Sequence, residues 1–312
     1  MLDATAKALF HGLAQVSTLQ RLASKYGMAP GGFARRFIAG ENIDEAIAAV
    51  KDLPAKGLNL TLDYLGESVA SAAAASAAAA DYVAIIGRIV DSGIERNVSL
   101  KLTQLGLDVD RATAVDNMRR ILAPAEENGF FVRIDMENSP YTDATLEILD
   151  TLWRQGHRNI GTVIQSYLKR SADDIRQLNA KGVRVRLVKG AYKEPKGIAY
   201  QKKSEVDAAY IELMRTLLDD GTYPAIATHD VHMIEATKAY AKSKGYANDR
   251  FEFQMLYGIR RDLQTALVKD GYRVRVYVPF GKQWYPYFMR RLGERPANVG
   301  FVLRGIAGDK GG

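Results

Sequence analysis

The sequence predicts an α/β protein folded as a (β/α)8, TIM-like barrel with an N-terminal helical arm. Three observations carry that expectation. Eight short segments alternate apolar and polar residues with period two, and helix-like stretches separate them. In several of these segments the polar face carries charges that must turn away from the flanking helices. The chain has 312 residues, 47% of them hydrophobic, which accommodates the roughly 250 residues of eight strand–helix units in one domain.

The strands are expected at residues 58–63, 98–103, 131–137, 161–166, 183–189, 225–228, 251–255 and 273–278. Strands alternating with helices imply a parallel sheet, and eight such units imply closure. In the second segment Val98, Leu100 and Leu102 face one way, and Ser99, Lys101 and Thr103 the other. The third opposes Val132, Ile134 and Met136 to Arg133, Asp135 and Glu137. The fifth opposes Val183, Val185 and Leu187 to Arg184 and Arg186, and the eighth opposes Val274, Val276 and Val278 to Arg273, Arg275 and Tyr277. Helices outside the barrel need apolar contact, so Lys101, Asp135, Arg186 and Tyr277 are expected in the lumen. Burying them is costly unless they pair or bind a charged ligand at the barrel mouth. An antiparallel sheet with one solvated face gives a similar alternation, but the intervening helices argue against it.

Residues 1–57 read as the helical arm, interrupted at 27–32 around Pro30, and residues 58–312 as the barrel. Residues 70–80 are alanine and serine alone, a strong helix signal. They make a helix that, if it faces solvent, is unusual in lacking charge. Ser171 and Asp174 resemble a capping box, and Gly182 and Gly271 stand where helix-closing glycines belong.

The net charge of +7 and a pI near 9.3 favour anionic ligands, but the charges are scattered and form no basic tail, so nucleic acid is not expected as a partner. No cysteine is present, which excludes disulfides and thiolate chemistry and suits a cytosolic protein. The start of the chain lacks the pattern of a signal peptide, and no run of about 18 apolar residues suggests a transmembrane segment.

Four groups of residues can carry chemistry. Residues 275–281 (RVYVPFG) end a strand and turn, and a helix follows on which Tyr287, Arg290, Arg291 and Glu294 share one face. Adjacent arginines can grip one carboxylate, and the helix after the last strand sits at the rim where barrel sites form. The bland alternative is a solvated arginine pair balanced by Glu294. Residues 186–192 (RLVKGAY) place Lys189, Gly190 and Ala191 after a strand, where backbone N–H groups can approach an anion. Residues 227–232 (ATHDVH) offer Thr228 or His229 as cofactor hydrogen-bonding groups, whereas His229 and His232 lack a third metal ligand at a recognisable spacing. Lys101 and Asp135 can pair across the lumen, with Glu252 and Gln254 at similar positions on the seventh strand. There is neither a Gly-x-Gly-x-x-Gly after a strand nor a Walker A motif, so a dinucleotide would have to bind the barrel itself.

Together, VYVPFG at 276–281 with Tyr287, Arg290, Arg291 and Glu294, RLVKGAY at 186–192, THD at 228–230, FEFQ at 251–254 and SLKL at 99–102 resemble the proline dehydrogenase family, in its order, over about residues 58–303. The length is similar to that of the single-function bacterial enzymes. Asp230 departs from the asparagine common in the longer enzymes, and the alanine run is more monotonous than the family's usual pattern. The resemblance implies a barrel that binds FAD and oxidises L-proline to Δ1-pyrroline-5-carboxylate, with electrons passing to a quinone. It implies that Arg290 and Arg291 hold the proline carboxylate, while Lys101, Asp135, Leu256, Tyr277 and Tyr287 shape the rest of the pocket. Arg186 would tune the flavin. Met136, Gln165, Lys189 and Gly190 would hold FAD with Ala191, Thr228, His229 and Gln254, and Glu294 would brace the arginine helix or reach the flavin. Asp135, Arg186 and Lys101 are the catalytic candidates, and the acceptor of the substrate's amine proton is either Lys101 or a water. A cytoplasmic location, contact with the inner face of the membrane and a pyrroline-5-carboxylate dehydrogenase as partner accompany the resemblance.

Two other functions fit parts of the pattern. A Schiff-base aldolase on the same fold would use Lys101 or Lys189 as its nucleophile. A basic nucleic-acid binder would show steep salt dependence.

Overall fold

The computed structural model describes residues 27–28 and 32–294; for Phe33 and residues 290–294 the backbone alone is described. About half of the expected helical arm, residues 1–57, therefore lies outside the described residues. Its described part contains a 3-10 turn, Phe33–Arg36, and helix α1, Ile43–Val50.

Among the described residues, eight parallel strands close into a barrel in sequence order. They are β1 (Leu58–Tyr64), β2 (Asn97–Leu100), β3 (Phe131–Ile134), β4 (Ile160–Gln165), β5 (Arg184–Val188), β6 (Ala225–Ala227), β7 (Glu252–Leu256) and β8 (Arg273–Phe280). β1 pairs with both β2 and β8, which seals the sheet. The helices between the strands are α2 (Ala72–Ser92), α3 (Arg111–Glu127), α4 (Thr142–Arg154), α5 (Ser171–Ala180), α6 (Lys203–Asp220), α7 (Val231–Ser243) and α8 (Arg261–Lys269), and α9 (Trp284–Glu294) follows β8.

The period-two alternation sorts the side chains as expected. Leu60, Leu62, Val98, Leu100, Val132, Ile134, Val274 and Val276 join one core with Ile85, Ile86, Ile89, Met118, Ile121 and Leu149 of the helices. Each such side chain contributes about 1.5–3 kcal/mol by leaving water. The opposite parity turns inward and carries the charges.

Three expectations are corrected. β2 and β3 end earlier than 103 and 137, because the chain passes into turns at 102–109 and into irregular backbone at 135–137; Lys101 and Asp135 lie just past the last rungs, although the Asp135 N–H still donates to the Leu100 carbonyl at 2.8 Å. Ser171 and Asp174 form no capping box. The residue at the cap of α5 is Arg170, Asp174 pairs with that arginine, and the Ser171 hydroxyl donates to the Gln165 carbonyl at 2.6 Å. Finally, α2 is long and apolar enough by length and composition to cross a membrane, with a mean hydropathy of 1.4 over 18 residues. Its Ala75, Ala78, Ala79, Tyr82, Ile85, Ile86 and Ile89 are buried against the barrel, so the alanine run does not wholly face solvent. Alanine raises hydropathy without bulk and lets the helix approach the sheet closely. Gly182 and Gly271 follow α5 and α8 with positive φ, as expected of closing glycines.

A second cluster sets the last helix over the barrel mouth. Trp284, Tyr285, Tyr287, Phe288 and Met289 of α9 pack on Met28, Ala34, Phe37, Ile38 and Leu65. The Trp284 indole donates to Glu41 at 3.1 Å, and the Gly281 N–H to the Gly40 carbonyl at 2.9 Å. Gly281 itself takes φ +123°, against the ring of Tyr64. The segment before β1 thus clamps the helix that bears Arg290 and Arg291.

Candidate active site

The inward faces of the strands meet on Asp135. Its Oδ1 accepts from the Arg186 guanidinium at 2.8 Å, and its Oδ2 from the Tyr277 hydroxyl at 2.8 Å. Arg186 also donates to Gln254 Oε1 at 2.5 Å and to Ser99 Oγ at 3.0 Å, and its guanidinium lies 5.1 Å from the Tyr277 ring centre. Five strands or strand ends thus converge on one buried cluster. The charges predicted for the lumen are paired, which is the condition under which such groups persist out of water.

Beneath this layer is a second one. Gln254 donates to Glu252, Glu252 accepts from Arg275 at 2.7 and 3.0 Å, and Arg275 reaches the Leu60 carbonyl at 2.7 Å and pairs with Glu95. Burial raises the Glu252 carboxyl, but Arg275 outweighs it and holds the group below its ordinary range. Arg133 donates to the Thr162 and Arg184 carbonyls at 3.0 and 2.7 Å. This lower layer braces the barrel and, by holding Gln254, orients Arg186.

Lys101 sits at the upper rim of the cluster. Its ammonium lies 3.6 Å from Asp63 Oδ1 and 3.9 Å from Asp135 Oδ2, beyond hydrogen-bond range of both. Burial opposes the charge, but the two carboxylates outweigh it and hold Lys101 above the ordinary lysine value. Burial also pushes the Tyr277 phenol well up, with the Asp135 charge adding to it, so Tyr277 remains a neutral donor.

The other expected residues surround the C-terminal mouth. Leu256 ends β7 in register with Tyr277, and its N–H donates to His229 Nε2 at 2.9 Å, which makes that nitrogen an acceptor. The Thr228 hydroxyl accepts from the Asp230 N–H at 3.0 Å, and Gln165 donates to the Glu137 carbonyl at 2.9 Å. Met136, on the strand end beside them, is buried. Lys189 is not a free cation: it contacts Asp207 at 2.5 Å and Asp230 at 2.7 Å. Asp230 also caps α7 by accepting from the His232 N–H. Gly190 takes φ +112°, and any Cβ there would come within 2.5 Å of the Tyr167 ring, so only glycine lets the backbone lie flat at this turn; Ala191 follows it, exposed. Tyr287 is buried on α9, near enough to add to the upward push on Tyr277. Arg290, Arg291 and Glu294 fall on the same helix, but their side chains lie outside the described residues.

Sequence reasoning missed several groups. Asp63 is fully buried beside Lys101, and its signal was the alternation of β1, where Asn59, Thr61 and Asp63 oppose Leu58, Leu60 and Leu62. Ser99 shares the parity of Lys101 and binds Arg186. Glu137 accepts from the Thr103 N–H and hydroxyl at 3.2 and 2.7 Å, and Glu194 accepts from the Ser139 N–H at 2.7 Å; nothing local in the sequence marks either loop contact.

Comparison with known proteins identifies the family. Residues 46–304 match the family described as proline dehydrogenase. Proline dehydrogenase 2 of Bacillus subtilis is 43% identical over 294 residues, 94% of this chain and 96% of that protein. Proline dehydrogenase of Deinococcus radiodurans is 44% identical over 277 residues, 88% of this chain and 89% of that protein. The solved structure of proline utilization A from Bdellovibrio bacteriovorus, inactivated by N-propargylglycine, superposes with a TM-score of 0.78 at 29% identity, over 83% of this chain and 32% of that longer one. With a matching family over most of its length and relatives of nearly equal extent, the chain belongs to the proline dehydrogenase family.

Proposed function

We propose that the chain oxidises L-proline to Δ1-pyrroline-5-carboxylate at the C-terminal mouth of the barrel, with FAD as cofactor and a quinone as final electron acceptor. The observation that carries this reading is the buried Asp135–Arg186–Tyr277 cluster, with the Lys101 ammonium 3.9 Å from Asp135. The donor set suits a flavin. Gly190 provides a side-chain-free turn, Arg186 a fixed cation, and Gln165, Thr228, His229 and Gln254 polar groups on one rim. Met136, Lys189 and Ala191 complete the cradle, and Glu294 braces α9 or reaches the cofactor. When bound, FAD supplies the hydride acceptor.

In this reading the protein's own groups bind and orient the substrate. Arg290 and Arg291 grip the proline carboxylate, and Lys101 directs its N–H groups toward the same end. Leu256, Tyr277 and Tyr287 wall the ring and keep water from it. Asp135 holds Arg186 and Tyr277 in place, so that the cation that would serve the cofactor is organised before the reaction and costs no reorientation during it. The amine must lose a proton before hydride leaves; Lys101 is held as an ammonium, so a water at the amine end of the pocket, outside the walled ring, takes that proton.

The aldolase reading loses its support, because Lys101 is held charged and Lys189 is engaged by two carboxylates. The protein works in the cytoplasm, meets the inner face of the membrane to reach its quinone, and leaves a cyclic imine that a pyrroline-5-carboxylate dehydrogenase can consume. Purified protein supplied with FAD, L-proline and a soluble quinone is expected to form one quinol per imine released. Absence of turnover under these conditions contradicts the reading.

A further inference from the structure

One ionisable group in the lumen has no part in the reading above. Asp63, on β1, is fully buried, and among the described residues neither carboxylate oxygen has a hydrogen-bond partner within range. The Tyr277 hydroxyl beside it gives its proton to Asp135 instead. The nearest cation is Lys101, 3.6 Å from Oδ1. A carboxylate so placed is costly, and the neighbouring ammonium compensates it without a direct hydrogen bond.

We propose that Asp63 is a positioning residue that acts through Lys101: with Asp135 it forms a two-carboxylate seat that keeps Lys101 an ammonium at the pocket floor and leaves its N–H groups to the substrate. The seat makes Lys101 a fixed cation and removes it as a proton acceptor. This inference rests on the proline pocket proposed above.

The groups facing Asp63 are Lys101 and Asp135 at the ends of β2 and β3, Arg186 on β5, Tyr277 on β8 and Tyr82 on α2. Burial is the largest influence on the Asp63 carboxyl and leaves it raised overall, although Lys101 first, then the Tyr277 hydroxyl and Arg186, pull it down. Tyr82 and Tyr277 are both pushed well up, first by burial, so neither titrates in the working range. Burial alone would lower Lys101; Asp63 is the first group that raises it and Asp135 the second, with Tyr192 and Glu137, which also face it, adding less. Without the Asp63 charge, Lys101 therefore loses its proton at lower pH, and the alkaline limb of kcat/KM moves down.

The test is a double-mutant cycle with Asp63→Asn, Lys101→Met and their combination, read as kcat/KM for L-proline against pH. Asp63→Asn is expected to lower kcat/KM about ten- to a hundredfold and to move the alkaline limb down, whereas in the Lys101→Met background it changes kcat/KM by less than about twofold. Nitrogen-15 spectra of the lysine ammonium, assigned by the signal lost in Lys101→Met, read the same property without turnover. The wild-type signal should persist above the pH at which ordinary lysines titrate and vanish at lower pH in Asp63→Asn. Equal losses in both backgrounds, or a wild-type Lys101 that titrates like an ordinary lysine, overturn the proposal. The wild-type titration decides even if Asp63→Asn does not fold. Wild-type protein that fails to oxidise proline discards the pocket reading alone, since the spectra report on the seat separately.

Discussion

Arg186→Met is expected to lower kcat by about a hundred- to a thousandfold, the range seen when a preorganised charge is removed from an active site. Arg186 is nearly inaccessible and spans the lumen, with bonds to Asp135, Gln254 and Ser99 and a stack on Tyr277. Methionine fills part of the volume but leaves the Asp135 carboxylate short of its strongest partner, so stability should fall by about 3–5 kcal/mol, as when one half of a buried pair is removed. Asp135→Asn added to Arg186→Met is expected to recover part of that stability and none of the activity. Arg186→Lys keeps the charge without the three-way fork, and its kcat should fall between the two. Steady-state kinetics and thermal melting of the four proteins check the set; a kcat for Arg186→Met within threefold of wild type contradicts the role given to this cation.

Arg290→Met and Arg291→Met are expected to raise the proline KM by about ten- to a hundredfold each, with kcat changed far less and FAD still bound. The two residues lie together on α9, which the segment before β1 clamps over the barrel mouth. Each charge-assisted bond to a carboxylate contributes roughly 1.5–3 kcal/mol, and each 1.4 kcal/mol is a factor of ten in affinity. An interaction made equally in the bound substrate and in the transition state appears in KM rather than kcat. Unchanged proline kinetics in both variants would remove the clamp from the account.

The barrel was legible because its signal is local. Period-two runs such as residues 98–103 and 273–278 state which side chains share a face, and helices on the outside leave one choice for the polar face. That inference correctly placed Lys101, Asp135, Arg186 and Tyr277 in the lumen. The pairings were less legible, since Arg275 reaches Glu95 and Leu60 from far along the chain. Asp63 escaped notice because LNLTLD reads as an ordinary half-buried strand; only barrel closure turns its polar side into a sealed interior. Lys189 illustrates the reverse case. A lysine at a glycine turn suggested a charge for an anion, whereas Asp207, just over one turn into α6, and Asp230 neutralise it. Their carboxyls feel burial first, but Lys189 outweighs it and holds both below the ordinary range. The capping motif at Ser171 failed for a similar reason: Arg170 takes Asp174 through a side-chain ion pair, an option the four-residue pattern does not contain.

The central claim is that this barrel holds a flavin and that proline reduces it. A visible absorption spectrum of the purified protein, taken before and after anaerobic addition of L-proline, tests that claim most directly. The account predicts oxidised-flavin bands that bleach when proline is added. Bands that persist under excess proline, or a protein that stays colourless after incubation with FAD, would contradict it.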